Sequence, residues 1–327
     1  MSEVVSRPVA KAEDGIRLDR WFKRHFPQVT HGRLEKLLRT GQIRVDGQRA
    51  KSNDRLAPGQ IIRVPPIADN KRAHGREQKL SDKDRSFVQG LVLREEENFF
   101  VLNKPAGLAV QGGSKTLRHL DGLLPALART GDERPRLVHR LDRDTSGAII
   151  VARNAAAAAD LAKLFRTRAV VKIYWALTSG VPIPRSGTID LPLAKEGGRG
   201  SERMEVQDEE GEGQRAITRF EVISSVGRQF AWVALLPITG RTHQLRAHLA
   251  AIGTPILGDP KYGLPDAQPE GAGEGLHLHS RRIALPASRG RRLVVDAPLP
   301  AHMAKSWKLF GFELGEAAEA MSTLERE

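Results

Sequence analysis

The chain has 327 residues, 40% of them hydrophobic, and it contains no cysteine. The lack of cysteine excludes disulfides and thiolate metal sites, and no apolar run is long enough to span a bilayer. The length is sufficient for two domains. Because the N-terminus lacks the basic and then apolar layout of a signal peptide, we expect a cytoplasmic protein.

Positive charge is the strongest signal in the composition. The net charge is +13 and the isoelectric point is about 10.3. Residues 1–88 carry 20 basic and 11 acidic side chains, which is +9 of that total. Clustered positive charge favours a polyanionic partner. Anionic lipid is the alternative, but no basic amphipathic helix with an aromatic face is evident. We therefore expect a nucleic acid partner and no membrane.

Residues 14–66 predict a small domain of two helices and a hairpin. Leu18, Trp21, Phe22 and Phe26 have helical spacing, a second helix is predicted over His31–Thr40, and Asp-Gly at 46–47 indicates a hairpin turn. Its candidate RNA-contacting residues are Arg17, Arg20, Arg33, Lys36, Arg39 and Arg44. A solvated charged surface is the alternative, but the two helices carry few acids.

Residues 67–86 have little apolar content and no periodicity, which predicts a basic, flexible linker. A second domain is expected over 87–312. The acidic, alanine-rich residues 313–327 are expected to form a partly frayed tail.

The second domain alternates predicted strands and helices. The strands are expected at 99–104, 148–152, 172–177, 230–236, 276–286 and 291–296, and the helices at 118–129, 155–166 and 241–252. Asn154 is the expected N-cap of the second of these helices. A glycine- and glutamate-rich stretch, 196–214, is expected to form an exposed loop or hairpin.

A dense group of polar residues, His139–Gly147, directly precedes the apolar strand at 148–152. Such groups are costly to bury unless they pair with one another, and loops at the ends of rigid strands often carry catalytic side chains. A salt-bridged turn is the alternative, with Arg140 or Arg143 neutralising Asp142 or Asp144.

Several site types are missing from the sequence. There is no glycine-rich phosphate loop and no dinucleotide fingerprint. His243 and His248 are five residues apart, which does not place them on one helix face, and no zinc-binding His-Glu-x-x-His pattern occurs. For His277 and His279 we expect a structural role, and we expect no metal.

Four ordered stretches resemble RluA-type pseudouridine synthases: 103–110, 139–147, 240–249 and 257–263. About 50 residues of the first domain resemble the RNA-binding domain shared with the fourth small-subunit ribosomal protein, which we call the S-four domain. The combination is similar to the RluC/RluD branch, which acts on large-subunit ribosomal RNA. The Asp-Arg-Asp-Thr-Ser-Gly motif and the Pro-Pro exit from the first domain favour RluC.

The resemblance implies an α+β protein. A small RNA-binding domain would precede a mixed, mostly antiparallel sheet flanked by helices, the pseudouridine synthase fold. It also implies isomerisation of uridine to pseudouridine in ribosomal RNA, without cofactor or metal. Asp142 matches the essential carboxylate, as nucleophile at the sugar or as base at its 2′ carbon. Asp144 matches a position where an acid is not required.

The resemblance extends to other site residues. Arg246 matches the basic partner of the acid, although a phosphate contact is open, and Tyr174 matches the aromatic residue beside the target base. Arg140 would fill the gap left by an extruded nucleotide. Lys104 and Arg241 would contact the RNA backbone or be solvated surface charges.

Two other functions are compatible with the same residues. A non-catalytic RNA-binding or assembly factor would use the basic surface alone. A glycosidase-like hydrolase would use Asp142 and Asp144 as an acid/base pair and would release free base or sugar. The intact motif around Asp142 favours the synthase. We expect its partner to be large-subunit ribosomal RNA or an assembly intermediate, and the protein to be a monomer.

Overall fold

The computed structural model describes residues 4–26, 28–67, 80–113, 116, 118–196, 203–207, 213–265, 267–288 and 291–326. The chain divides into two units, Met1–Lys79 and Leu80–Glu327. Within the described residues, no helix combines the length and the apolar character needed to cross a membrane.

The first unit contains two helices and a three-stranded antiparallel sheet with strand order β1-β3-β2. The helices are α1 (Leu18–His25) and α2 (His31–Arg39), and the strands are β1 (Val5–Pro8), β2 (Arg44–Val45) and β3 (Ile61–Val64). Both predicted helices form. The predicted Asp-Gly turn forms as well, with positive φ at Asp46 (50°) and Gly47 (77°).

The start of this unit differs from the expectation that it begins at residue 14. Strand β1 pairs with β3, and Glu13 is buried. The Glu13 carboxylate accepts hydrogen bonds from Trp21 Nε1 (3.0 Å) and the Ala10 amide (3.2 Å), and it lies 2.6 Å from His25 Nε2. Burial alone would raise the pKa of Glu13, but these partners lower it to about 2. The sequence did not predict β1, because this four-residue strand lacks alternating hydrophobicity.

The second unit contains twelve strands and six helices among its described residues. The strands are β4 (Val92–Glu95), β5 (Phe99–Lys104), β6 (Arg136–Leu137), β7 (Ser146–Ala152), β8 (Val171–Ser179), β9 (Ser186–Asp190), β10 (Leu193–Glu196), β11 (Arg203–Val206), β12 (Ile217–Val226), β13 (Phe230–Pro237), β14 (Leu278–Ser288) and β15 (Arg291–Asp296). The helices are α3 (Asp82–Gly90), α4 (Leu120–Leu123), α5 (Ala155–Arg166), α6 (Gln244–Ala251), α7 (Ala301–Phe310) and α8 (Ala317–Arg326). The helix predicted over 118–129 is shorter than expected, because α4 continues as a 3-10 turn at Leu124–Leu127.

Ten of these strands form one sheet with the central order β4-β5-β7-β14-β8-β13-β12-β9; β6 pairs with β7 and β15 with β14. Among the described strands, β7 and β14 are the parallel pair and every other pairing is antiparallel. Strands β10 and β11 form a separate hairpin. The predicted mixed, mostly antiparallel sheet is therefore confirmed.

Alternate residues of β8 pack on opposite faces of the sheet. Tyr174 and Ala176 belong to the core that contains the apolar stripe of α6. Trp175 and Leu177 belong to the opposite core, where three tryptophans pack with α7 and α8. The face of β8 that carries Tyr174 is therefore the face covered by α6.

The structure corrects the expected tail at 313–327. Helix α8 buries Met321 and Leu324 in the tryptophan core. On its other side, Glu325 forms ion pairs with Arg282 (3.1 Å) and Arg292 (2.8 Å). The acidic composition of the segment reflects its outer face, whereas its buried face is apolar.

The linker between the two units is also shorter than the predicted 67–86. Residues 68–79 lie outside the described residues, but α3 begins at Asp82, with the Ser81 side chain accepting a hydrogen bond from the Asp84 amide. Val88 of this helix is buried in the core of the second unit. Helix α3 is thus part of that unit.

Candidate active site

A cavity of about 1200 Å³ opens on the α6 side of the sheet. It is lined by the loop before β7, by β8, and by the segment that joins β13 to α6. Its cationic lining residues are Arg140, Arg143, Arg166, Arg168, Lys172, Arg241 and Arg246. Asp142 is the single carboxylate among the described residues that line it. The cavity thus suits an anionic substrate and presents one acid to it.

The loop that carries Asp142 is held by the start of β7. Gly147 has φ +107°, and a Cβ there would lie 2.3 Å from the Ser280 carbonyl oxygen, so the close approach of β7 to β14 requires glycine. Beside it, the Ser146 hydroxyl lies 2.8 Å from His279 Nδ1, and both residues are buried. Since β7 is buried along its whole length, the loop leaves a rigid strand.

Lys104 fixes the same loop from the other side. Its side chain is 0% exposed, and Nζ donates to the carbonyls of Pro105, Leu108 and Arg143, each at 2.9 Å. Burial lowers the pKa of Lys104 to about 8, although Asp144 and Asp142 oppose that shift. The predicted contact of Lys104 with the RNA backbone is wrong, because all three donor positions are used within the protein.

Arg246 lies beside Asp142, but its stronger partner is another acid. Its Nη1 is 3.7 Å from Asp142 Oδ2. Its Nε and Nη2 donate to the two oxygens of Asp259 at 2.7 and 2.6 Å, in a bidentate pair that is almost fully buried. Asp259 thus orients Arg246, and Arg246 in turn approaches Asp142. The pairing of Arg246 with Asp142 was predicted from the sequence. The pairing of Arg246 with Asp259 was not.

Asp259 is held by its own segment as well as by Arg246. Its Oδ1 accepts hydrogen bonds from the amides of Lys261 (2.8 Å) and Tyr262 (3.1 Å). Burial alone would raise the pKa of Asp259, but Arg246 and these amides keep it below its usual value. In the sequence, Asp259 is the acid of the 257–263 stretch that resembles the family, but its position alone does not reveal that it pairs with Arg246.

Tyr174 lies in the cavity wall at the centre of the sheet. It is 7% exposed, and its strand neighbours are Ser280 on β14 and Leu235 on β13. Burial raises the pKa of Tyr174, and the nearby Asp142 carboxylate raises it further. The phenol therefore stays protonated at neutral pH and offers an apolar ring to the cavity.

Tyr262 supports the residues at the start of α6. Its ring lies under Arg246, with 5.2 Å from the guanidinium carbon to the ring centre. Its hydroxyl accepts a hydrogen bond from the Met204 amide (2.8 Å) and lies 3.1 Å from His243 Nδ1. His243 has a left-handed backbone (φ 52°), so α6 begins at Gln244 and not at Arg241 as predicted.

Asp144 lies two residues after Asp142 but faces a different space. It lines a smaller cavity of about 400 Å³ together with Glu274 and His302. Because the two acids open into separate cavities, they do not form the facing pair that a glycosidase needs.

The predicted RNA-contacting residues other than Lys104 are mostly at the surface. Arg140 is exposed at the cavity, and Arg241 is exposed while its Nε donates to the Arg215 carbonyl (3.2 Å). In the first unit, Arg17 forms an ion pair with Asp19 (2.7 Å), and Arg44 donates to the carbonyls of two glycines. Arg33 is half-buried, and the other five are exposed: Arg17, Arg20, Lys36, Arg39 and Arg44.

Three histidines considered as metal ligands, His248, His277 and His279, are bound within the fold. His248 Nδ1 lies 2.9 Å from the Thr218 hydroxyl and its Nε2 lies 3.0 Å from the Leu191 carbonyl. His277 lies 2.8 Å from the Ser306 hydroxyl, and His279 contacts Ser146 as described. All three are buried, in agreement with the structural role expected for His277 and His279.

Comparison with known proteins identifies this arrangement. Residues 98–251 match the RNA pseudouridylate synthase family. "Ribosomal large subunit pseudouridine synthase C" of Rickettsia typhi is 33% identical over 298 residues, which cover 89% of this chain and 96% of that protein. "RNA pseudouridine synthase 4, mitochondrial" of Arabidopsis thaliana is 34% identical, covering 89% of this chain and 78% of that protein.

A solved structure is also similar. The structure titled "Human RNA Pseudouridylate Synthase Domain Containing 4" has 32% sequence identity and a TM-score of 0.59, and the match covers 71% of this chain and 98% of that one. Sequence and fold therefore agree with the geometry of the cavity, and the chain belongs to the RNA pseudouridylate synthase family.

Proposed function

We propose that this RNA pseudouridine synthase isomerises specific uridines of large-subunit (23S) ribosomal RNA, and that Asp142 is its catalytic residue. One observation carries the assignment of Asp142: it is the single carboxylate among the described residues that line a cavity with seven cationic side chains. The choice of RNA is supported by relatives named "Ribosomal large subunit pseudouridine synthase C" that match nearly their whole length. Within the RluA-type enzymes, these relatives favour the RluC group.

The reaction breaks the bond between N1 of uracil and C1′ of the ribose, and joins C5 to C1′ after the base has turned. The proton on C5 leaves and N1 gains one, so no redox partner is consumed. Asp142 acts either as a nucleophile at C1′ or as a base at C2′. With 26% of its side chain exposed, the carboxylate is accessible to the sugar in either route.

We assign Arg246 to orienting Asp142, and Asp259 to orienting Arg246. The short bidentate pair fixes the guanidinium before the substrate arrives, and one of its nitrogens is left facing Asp142. Tyr174 stacks on the uracil. Its buried, protonated phenol suits stacking better than proton abstraction, which would require the phenolate.

The RNA strand would lie along the exposed cations of the cavity. Arg140 fills the space of the extruded nucleotide, and Arg241 contacts the backbone. We propose that the first unit is an S-four domain that binds the same RNA through Arg17, Arg20, Arg33, Lys36, Arg39 and Arg44. Support comes from its two helices and hairpin, and from the exposure of most of these side chains. The enzyme would act as a cytoplasmic monomer.

The test uses unmodified transcripts of large-subunit and small-subunit ribosomal RNA. Pseudouridines are mapped as carbodiimide-dependent stops of primer extension after incubation with the protein. New stops in the large-subunit transcript are expected, with none in the small-subunit transcript. Stops confined to the small-subunit transcript would refute the proposed substrate. RNA binding without stops in either transcript would favour an assembly factor.

A further inference from the structure

Lys172 is one of the cationic residues that line the large cavity, and the proposed function assigns it no role of its own. It lies on β8, two residues before Tyr174, so both side chains point to the same face of the strand. Both line the large cavity. Lys172 is half-buried, and burial lowers the pKa of its ammonium.

Within the described residues, the Lys172 ammonium makes no hydrogen bond and no ion pair. Its Nζ lies 6.0 Å from the centre of the Phe165 ring, at the outer limit of a cation–π contact. His139 also lies on this wall; burial lowers its pKa and its Nε2 accepts a hydrogen bond from the Ile150 amide (2.8 Å), so it is a neutral neighbour and not a counter-ion. Lys104, in contrast, has three carbonyl partners.

An ammonium that is partly desolvated and has neither a counter-ion nor a hydrogen-bond acceptor is unfavourable in the protein alone. Its position therefore indicates a ligand that supplies the missing negative charge. Arg166 and Arg168 line the same wall where α5 ends, and both are exposed. Phosphodiesters are the charged groups of an RNA strand, and a strand whose base enters the cavity beside Tyr174 brings one to this wall.

We propose that Lys172 is a substrate-binding residue that contacts a phosphodiester next to the target uridine. This inference rests on the proposed function in assuming that the target base is bound at Tyr174. It differs from the assignment of the exposed arginines, because Lys172 lies inside the cavity and contacts RNA only after the nucleotide has entered.

Covalent footprinting tests the contact directly. The Asp142→Asn protein is treated with limiting acetic anhydride, with and without unmodified large-subunit transcript, and acetylation is quantified by mass spectrometry. Lys172 is expected to become several-fold less reactive with RNA. Lys163, an exposed lysine of α5 outside the cavity lining, serves as the control and should change little. Equal protection of the two lysines would overturn the proposal.

Substitution separates a phosphate contact from other roles. Lys172→Met is expected to raise KM about tenfold with little change in kcat, and to reduce the slope of log affinity against log salt by about 0.7. Lys172→Arg should restore the slope, whereas Lys163→Met should leave it unchanged. A higher KM with an unchanged slope would indicate a neutral group such as a uracil carbonyl, and would overturn the phosphate assignment.

Thermal unfolding of Lys172→Met and the turnover of the wild type provide two further tests. Since Lys172 makes no hydrogen bond or ion pair with the part of the chain that the structure describes, Lys172→Met should unfold at the same temperature as the wild type or higher, and a marked decrease would indicate a structural lysine. If the wild type forms no pseudouridine in the transcript, the proposed substrate is refuted. Protection of Lys172 and the salt slope do not depend on turnover, so they still decide the role of Lys172.

Discussion

The floor of the cavity, defined by Asp142, Tyr174 and Arg246, differs from its rim, defined by Arg140, Arg166, Arg168 and Arg241. Tyr174 lies on β8, Arg246 lies on α6, and Asp142 lies on the loop that enters the buried strand β7. Arg246 is 2% exposed and makes two hydrogen bonds to Asp259. The rim residues lie on loops and at a helix end, and all four are exposed. The proposed floor groups are thus held within the fold, whereas the rim arginines proposed to contact the RNA strand are exposed to solvent.

Under the proposed function, the floor residues affect the chemical step and the rim residues affect RNA binding. Substitutions in the floor should lower kcat, because its groups are oriented before the substrate binds. Substitutions in the rim should raise KM and change the salt dependence.

Asp142→Asn is expected to have the largest effect. The amide cannot serve as nucleophile or base, so single-turnover pseudouridine formation should fall by a factor on the order of 10³ or more. RNA affinity measured by filter binding should stay within a few-fold of the wild type. A large loss of affinity would instead place Asp142 among the binding groups.

Asp259→Asn tests whether the floor depends on residues behind it. The variant leaves the Arg246 charge buried without its counter-ion, and we expect kcat to fall about 10- to 100-fold and the free energy of unfolding to fall by about 3 kcal/mol. Asp160→Asn, an exposed acid of α5, is the matched control. Unchanged kcat in Asp259→Asn would show that Arg246 does not need this partner.

The buried histidines behind the floor predict a pH dependence of stability. Burial, the largest cause, lowers the pKa of both His277 and His279 to about 4. The unfolded chain therefore binds more protons than the folded one between about pH 4 and 6.5, so stability falls as pH falls through that range. Each histidine contributes up to about 1.4 kcal/mol per pH unit.

Urea unfolding between pH 7 and 5 measures this dependence. The wild type should lose stability steadily below about pH 6.5, and His279→Gln, although less stable overall, should show a shallower slope. Equal slopes in the two proteins would mean that His279 is not a neutral buried group.

Arg241→Ala tests the rim and should have the smallest effect. KM is expected to rise about 3- to 10-fold and the salt slope to decrease by about 0.7, with kcat unchanged. Arg228→Ala, an exposed arginine of the β12–β13 turn outside the cavity lining, is the control. A fall in kcat would place Arg241 with the floor.

Much of the fold could be predicted because its signals are local. The apolar run of β7, the Asn154 cap of α5 (2.8 Å to the Ala157 amide) and the Asp-Gly turn each depend on a few neighbouring residues. Helix α8 could not be recognised in this way, because its average composition is acidic while one face is apolar.

The site was only partly predictable for a related reason. A dense motif marks Asp142, but the pairing of Arg246 with Asp259 joins residues 13 positions apart that only the fold brings together. Lys104 is the last residue of β5, where a lysine is usually solvated, and its burial depends on three carbonyls from two loops. The sequence places Lys172 on the same strand as Tyr174, but the absence of a counter-ion among the described residues is a property that only the fold reveals.

The central claim, that Asp142 alone is the acid of an isomerisation, is tested most directly by product analysis. Unmodified large-subunit transcript is incubated with wild type, Asp142→Asn or Asp144→Asn, and nucleosides and free bases are quantified by chromatography. We predict pseudouridine without free uracil for wild type and Asp144→Asn, and neither product for Asp142→Asn. Free uracil, or inactivity of Asp144→Asn equal to that of Asp142→Asn, would contradict the account.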